Sequence, residues 1–168
     1  ISGNELAKSI QIDTIEADYI LLTHGHEDHV ADAEEIYKNT QATLVSNFEV
    51  ANWFEKKGVS GTIGMNIGGA LQLEGCAIKM VSALHSSSMP DGRYGGLAAG
   101  FIFVFEEDEV EKVVYFAGDT GLHKEMELIQ EEFGFVDFAF LPIGDVFTMG
   151  VNDAIEAAYL VNADTVIP

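Results

Sequence analysis

The segment Tyr19-Ile20-Leu21-Leu22-Thr23-His24-Gly25-His26-Glu27-Asp28-His29 decides the reading of this chain. Residues 19–23 form a short uncharged run, the pattern of a strand buried on both faces. The chain holds five histidines, and three of them fall within the six residues 24–29. They follow the strand directly, so they sit on a loop at its C-terminal edge, where layered α/β folds place their sites. In an extended segment, residues two apart point the same way, so His24 and His26 can approach one ion together. The next turn brings Asp28 and His29 round to a neighbouring position, and Gly25 leaves the backbone room to bend. Imidazole nitrogens with a carboxylate are donors that zinc, iron or manganese accept. An exposed His-rich loop is the plainer alternative, but this segment is internal, follows a buried strand and mixes in carboxylates.

Outward from that stretch, residues 33–38 read as one or two helical turns and 43–45 as another buried strand. Asn47 can cap a helix running to about residue 57, with Phe48, Ala51 and Phe54 on one side and Gly58 as the stop. Residues 70–73 and 77–84 alternate apolar and polar around a turn at Gly75. Strands 98–105 and 112–116 flank the acidic run Glu106-Glu107-Asp108-Glu109, which suits a hairpin tip. The stripe Phe101, Phe103, Phe105 has the period of two that burial on a strand needs. An amphipathic helix over 122–133, a strand over 138–141, a helix over 153–161 and a strand over 165–167 complete the chain. No linker or repeat divides it, so one domain over 1–168 is expected, of α/β (α+β) class.

Composition sets the limits. Among 168 residues, 48% are hydrophobic and 21% charged, which is globular composition. The 28 Asp and Glu outweigh 8 Lys and Arg, a net of -20. Such a surface repels phosphate backbones and anionic lipid, so nucleic-acid and membrane partners are not expected. A bound metal can still admit an anionic substrate by reversing the local field. The single cysteine, Cys76, cannot close an internal disulfide. The longest apolar stretch, 97–105, is far short of the roughly 20 residues of a membrane helix, and no signal peptide is visible. A cytoplasmic protein with a small-molecule substrate is expected, and a homo-oligomer is left open.

His24-x-His26-x-Asp28-His29 after a strand resembles the signature of the metallo-β-lactamase superfamily. Ser82-Ala83-Leu84-His85 ends a strand where that superfamily supplies its next histidine, and Phe116-Ala117-Gly118-Asp119-Thr120 ends one where it supplies a bridging aspartate. Pro142-Ile143-Gly144, Phe147-Thr148-Met149-Gly150 and the opening Ile1-Ser2-Gly3-Asn4 resemble one branch, the uncharacterised metal-dependent hydrolases similar to L-ascorbate-6-phosphate lactonases. The resemblance implies a four-layer αββα sandwich with two divalent ions, most readily Zn2+, with Mn2+ or Fe2+ as alternatives. It implies that His24, His26 and His85 hold one ion and Asp28 and His29 the other, with Asp119 bridging. By themselves, a histidine such as His85 is more often an ordinary strand-end residue and an aspartate such as Asp119 a turn former. The family closes its second metal site with a histidine shortly after a Val-Ile-Pro segment, and here the sequence stops at Pro168. The N-terminal strands are missing too, so the domain is expected to be truncated at both ends. His123 does not match the position of the missing ligand.

The chemistry expected is hydrolysis of an ester, lactone or phosphoester by a metal-bound hydroxide. Asp28, both ligand and carboxylate, is the candidate to orient the nucleophile and move its proton. Arg93, the only arginine, lies in the polar loop after His85 and can hold an anionic group bidentately, or merely offset Asp91. Residues 145–150, with Thr148, form a second candidate wall for substrate. An iron-dependent, dioxygenase-like enzyme on the same fold and a non-catalytic metal-binding module are the alternatives. Related diiron proteins usually carry Glu at the position of His26, which counts against the first.

Overall fold

A computed structural model describes residues 1–107 and 110–168, and its contacts divide the chain into two compact units. The first comprises Ile1–Met65 and Ser87–Gly96, the second Asn66–Ser86 and Leu97–Pro168.

The first unit is built on a parallel sheet ordered β1 (Tyr19–Leu21), β2 (Thr43–Asn47) and β3 (Ile63–Met65). Tyr19 pairs with Thr43, and Val45 with Ile63. Parallel neighbours need crossovers, and short helices supply them. α1 (Glu27–Val30) and α2 (Ala33–Thr40) follow β1, and α3 (Phe48–Lys56) follows β2. Asn47 caps α3 as expected, its Oδ1 accepting the Val50 N–H at 2.9 Å. Gly58, with φ +97, turns the chain away after the helix. The apolar face differs from the expected one. Val50, Ala51, Trp53 and Phe54 are buried with Leu44, Val59 and Met89, whereas Phe48 is 57% exposed. Phe48 lies over Gly64 of β3, which has no side chain to cover its ring; a Cβ there would meet Phe48 Cδ2 at 3.2 Å. β3 escapes notice in the sequence because Ile-Gly-Met is too short to show a period.

The second unit is a six-stranded sheet ordered β4 (Ala70–Leu73), β5 (Cys76–Ser82), β6 (Ala99–Glu107), β7 (Val110–Phe116), β8 (Val136–Phe140) and β9 (Ala163–Ile167). β4 to β7 pair antiparallel and β7 to β9 parallel. Gly75, at φ +88, makes the expected turn between β4 and β5. Glu107 pairs with Val110 across the β6–β7 hairpin; Asp108 and Glu109, of the expected acidic tip, lie outside the described residues. The Phe101, Phe103 and Phe105 rings follow one another at 6.2 and 6.1 Å, but only Phe101 is fully buried, and Phe105 is 40% exposed. The stripe is therefore core at one end alone.

Two helices serve the parallel half: α4 (Glu127–Phe133), entered through a 3-10 turn at Lys124–Met126, and α5 (Val151–Leu160). The helix expected from residue 122 starts later. Gly121 pairs with Leu84 in an isolated bridge, and the chain stays extended through His123 (φ -148, ψ 155). Met126, Ile129, Ala154 and Ala157 pack with Ile102, Val113, Tyr115 and Ala139 into the core of this unit. Burying a side chain of the size of Ile or Met is worth about 1.5–3 kcal/mol, so this cluster dominates the unit's stability. Among the described residues, no helix is long and apolar enough to cross a membrane.

Candidate metal centre

β1 ends at Leu21, and Leu22 still donates its N–H to the Val45 carbonyl at 3.0 Å. The histidine segment therefore leaves an anchored strand. His24 is fully buried, an unusual place for an imidazole without a partner that compensates its desolvation. Its Nδ1 lies 3.0 Å from the buried Thr23 Oγ1, and its Nε2 lies 3.0 Å from His26 Nδ1. The rings of His24 and His26 meet edge-on at 81° with centroids 4.6 Å apart, and His29 approaches His24 at 4.1 Å. Three imidazoles thus converge. Two nitrogens bound to one tetrahedral zinc at 2.0–2.1 Å stand about 3.3 Å apart, so the observed spacing of His24 Nε2 and His26 Nδ1 fits a shared ion. The Thr23 hydroxyl, able to donate or to accept, holds the His24 ring at Nδ1 and leaves Nε2 facing His26.

Asp28 and His29 lie on the short α1, whose turn brings the His29 ring round to His24 as expected. Asp28 Oδ2 is 3.5 Å from His29 Nε2, and the Asp28 side chain is 79% exposed. The carboxylate is accessible beside the imidazoles rather than buried among them.

Gly25 is constrained by more than flexibility. A Cβ there would meet Met89 Sδ at 2.5 Å and the Ser88 carbonyl oxygen at 3.1 Å. Its N–H donates to Ser87 Oγ at 3.1 Å, and that hydroxyl donates to the Gly95 carbonyl at 2.8 Å. Asn47 Nδ2 donates to the same carbonyl at 2.8 Å. The loop Ser87–Gly96, expected only as a polar wall, is therefore stitched to the histidine segment and to the cap of α3. Ser87 carries no signal in the sequence, because its role arises from a contact 62 residues away along the chain. Arg93, on this loop, is exposed and reaches Asp91 at 3.7 Å through Nε. The Trp53 indole N–H donates to Asp91 at 2.8 Å and holds that carboxyl below its usual range.

In the second unit, His85 Nε2 lies 3.7 Å from Asp119 Oδ2, and both side chains are largely buried. Thr120 brings them together. Fully buried, it accepts the Leu84 N–H on Oγ1 at 2.9 Å, donates to the Gly121 carbonyl at 2.7 Å, and accepts the Met149 N–H on its own carbonyl at 2.9 Å. Gly118 enters this turn at φ +63. Thr148 donates weakly to the Met149 carbonyl at 3.4 Å. It follows a tip where Val146 and Phe147 are 86% and 81% exposed and Val146 takes φ +45, strained for a β-branched residue. His123 is half-buried; its Nε2 is sealed from solvent with no hydrogen-bond partner, and burial lowers its pKa.

Residues 6–168 match the family model described as the beta-lactamase superfamily domain. The chain belongs to this family. It is 48% identical over 167 residues to a UPF0173 metal-dependent hydrolase of Methylacidiphilum infernorum and 49% identical over 168 residues to one of Christiangramia forsetii. Each comparison covers 99% of this chain and 72% of the relative. Among solved structures it is similar to Igni18, a metallo hydrolase from the archaeon Ignicoccus hospitalis, with 38% identity and a TM-score of 0.77 over 90% of this chain. The chain spans 62% of the Igni18 chain. The family assignment bears out the metallo-β-lactamase fold and α/β class expected from the histidine motif, and none of these names specifies a substrate.

Proposed function

We propose that this protein is a metal-dependent hydrolase of a small ester, lactone or phosphoester. The observation that carries the reading is the convergence of the His26 and His29 rings on the buried His24. His24, His26 and His85 would hold one divalent ion, Asp28 and His29 a second, with Asp119 shared; zinc suits this nitrogen-rich donor set. Support comes from the motif order, from relatives named metal-dependent hydrolases, and from the local order within each unit. Divalent metal at these donors supplies a water acidified toward a pKa of about 7 and a Lewis acid for the scissile carbonyl or phosphoryl oxygen.

The protein's own groups do the rest. Thr23 holds the His24 ring at Nδ1 so that Nε2 faces His26. Asp28, accessible beside His29, takes the proton of the attacking water and returns it to the leaving group. Ser87 keeps Gly25 in place, so the two histidines flanking it keep their spacing. Cytoplasmic location and self-association belong to this reading as expectations.

The test is metal content and turnover in His24→Ala and Asp119→Ala, measured by elemental analysis and by steady-state rates on a panel of esters, lactones and phosphoesters. Each variant is expected to lose metal and more than about a hundredfold in rate, above the cost of removing a ligand's supporting partner. Full metal content and full activity in both would overturn the assignment. Stoichiometric iron with oxygen uptake would replace the hydrolase with a redox enzyme.

A further inference from the structure

The chain carries 8 cations against 28 acidic residues, and its lysines are almost all committed. Lys8, Lys38, Lys57, Lys79, Lys112 and Lys124 each pair with a carboxylate. Among the described residues, Lys56 is the one cation with no carboxylate in ion-pair range, although acidic groups are in large excess. It lies in the last turn of α3, on the same helix stripe as Phe48 and Asn52. The turn carrying Arg93 and Tyr94 lies against that stripe and encloses a groove of about 160 Å³.

The walls of this groove suit a particular guest. Phe48 and Tyr94 are 57% and 65% exposed, two aromatic faces left open where α3 buries Trp53 and Phe54. Lys56 and Arg93 supply two positive charges, and Glu49 a single negative one. Arg93 Nε stands 3.7 Å from Asp91 Oδ2, its backbone N–H donates to Asp91 Oδ1 at 3.1 Å, and Asp91 is itself engaged by the Trp53 indole. The forked end of the guanidinium suits a carboxylate or phosphate, while aromatic faces prefer a flat partner. The loop bearing Arg93 is tied at its base to Gly25 through Ser87, and its limbs are joined by the Met89 N–H to Arg93 carbonyl bond at 2.8 Å.

We propose that the Phe48–Tyr94 groove, with Lys56 and Arg93, anchors a planar anionic group of the substrate: an aromatic ring carrying a carboxylate or phosphate. That the guest is substrate rests on the hydrolase reading; that the groove binds it does not.

Trp53, the only tryptophan, lines the groove and reports its occupancy by fluorescence. In the metal-loaded chain, 4-nitrobenzoate or 4-nitrophenylphosphonate is expected to quench saturably and neutral 4-nitrobenzamide much less. The tighter of the two anions identifies the preferred head group. Lys56→Ala and Arg93→Ala are each expected to weaken the anion's binding about five- to tenfold, the loss of one exposed charge-assisted contact, and Tyr94→Ala to weaken it by a similar factor. For turnover, Lys56→Ala is expected to raise KM for 4-carboxyphenyl acetate about fivefold more than KM for phenyl acetate, with kcat little changed. Equal quenching by charged and neutral compounds, or unchanged binding in all three variants, overturns the groove. Quenching intact with neither these esters nor any lactone or phosphoester of the panel cleaved overturns the hydrolase reading, and with it the groove's part in catalysis.

Discussion

The two units position their chemistry by opposite means. In the first, a very short strand delivers three histidines, and near and distant side chains hold them: Thr23 beside His24 and, from far along the sequence, Ser87 on Gly25 and Asn47 on the loop carrying Ser87. In the second, His85 and Asp119 stand beside a six-stranded sheet, and one buried hydroxyl joins their turns through backbone groups. A small sheet cannot fix a site through its ladder alone, so the first unit relies on a tied loop. The larger sheet needs only one added link.

That contrast breaks most visibly at Gly25. Gly25→Ala would drive a methyl into the Met89 thioether and the Ser88 backbone. It is expected to cost about 1–3 kcal/mol of stability by overpacking and to lower bound metal, read by thermal unfolding and elemental analysis. A neutral result would mean that the loop is not what spaces the histidines. Next in size is Thr120→Val, which keeps the volume and removes the acceptor for the part-buried Leu84 N–H. A loss of about 1–2 kcal/mol is expected, with metal content falling too. Stability lost with metal retained would show that the turn folds without Thr120 but does not need it to place Asp119.

Asp137 offers a smaller, pH-dependent check within the second unit. The Lys112 ammonium at 2.6 Å, aided by the Val113 N–H, holds its carboxyl below the usual carboxylate range. The folded pKa is depressed, so the ionised form stabilises the fold above the unfolded value of about 4. That contribution disappears as pH falls through the folded value. Asp137→Asn keeps an acceptor for Val113 and should flatten this part of the acid limb, measured by urea unfolding across pH 2–5. The smallest expected effect is at His123. His123→Ala should leave metal stoichiometry unchanged, and loss of an ion would bring that residue into the site. Burial depresses the His123 pKa, so the wild type loses stability as pH falls below about 6.5 and the variant should lose less.

Much of this was legible because local chemistry dictated it. The strand before His24, the Asn47 cap, the Gly75 turn and the alternation of β5 all depend on near neighbours. So does the histidine cluster, whose donor types and spacing announce a metal at any level of description. Phe48 was misplaced because helical periodicity assigns a face without saying that the strand position beneath it, Gly64, has no side chain to cover the ring. The late start of the 124–133 helical segment depends on the bridge of Leu84 to Gly121, which no window around residue 122 contains. Thr120 stood inside a recognised motif, yet its three hydrogen bonds reach residues 84, 121 and 149 and could not be read from the motif. The near-complete pairing of the lysines is invisible in composition, so Lys56 looked like any other surface charge.

Asn47 carries a consequence for motion. One amide side chain accepts the Val50 N–H at the head of α3 and donates to Gly95 in the loop. If the loop swings open while Asn47 follows it, the helix loses its cap. If Asn47 stays, its amide loses the Gly95 carbonyl, which keeps only the Ser87 hydroxyl. The two segments should therefore open as one cooperative event rather than fray independently, and their amides should exchange with solvent at a shared rate. Whatever admits a guest past Tyr94 would then be timed by the first turn of α3.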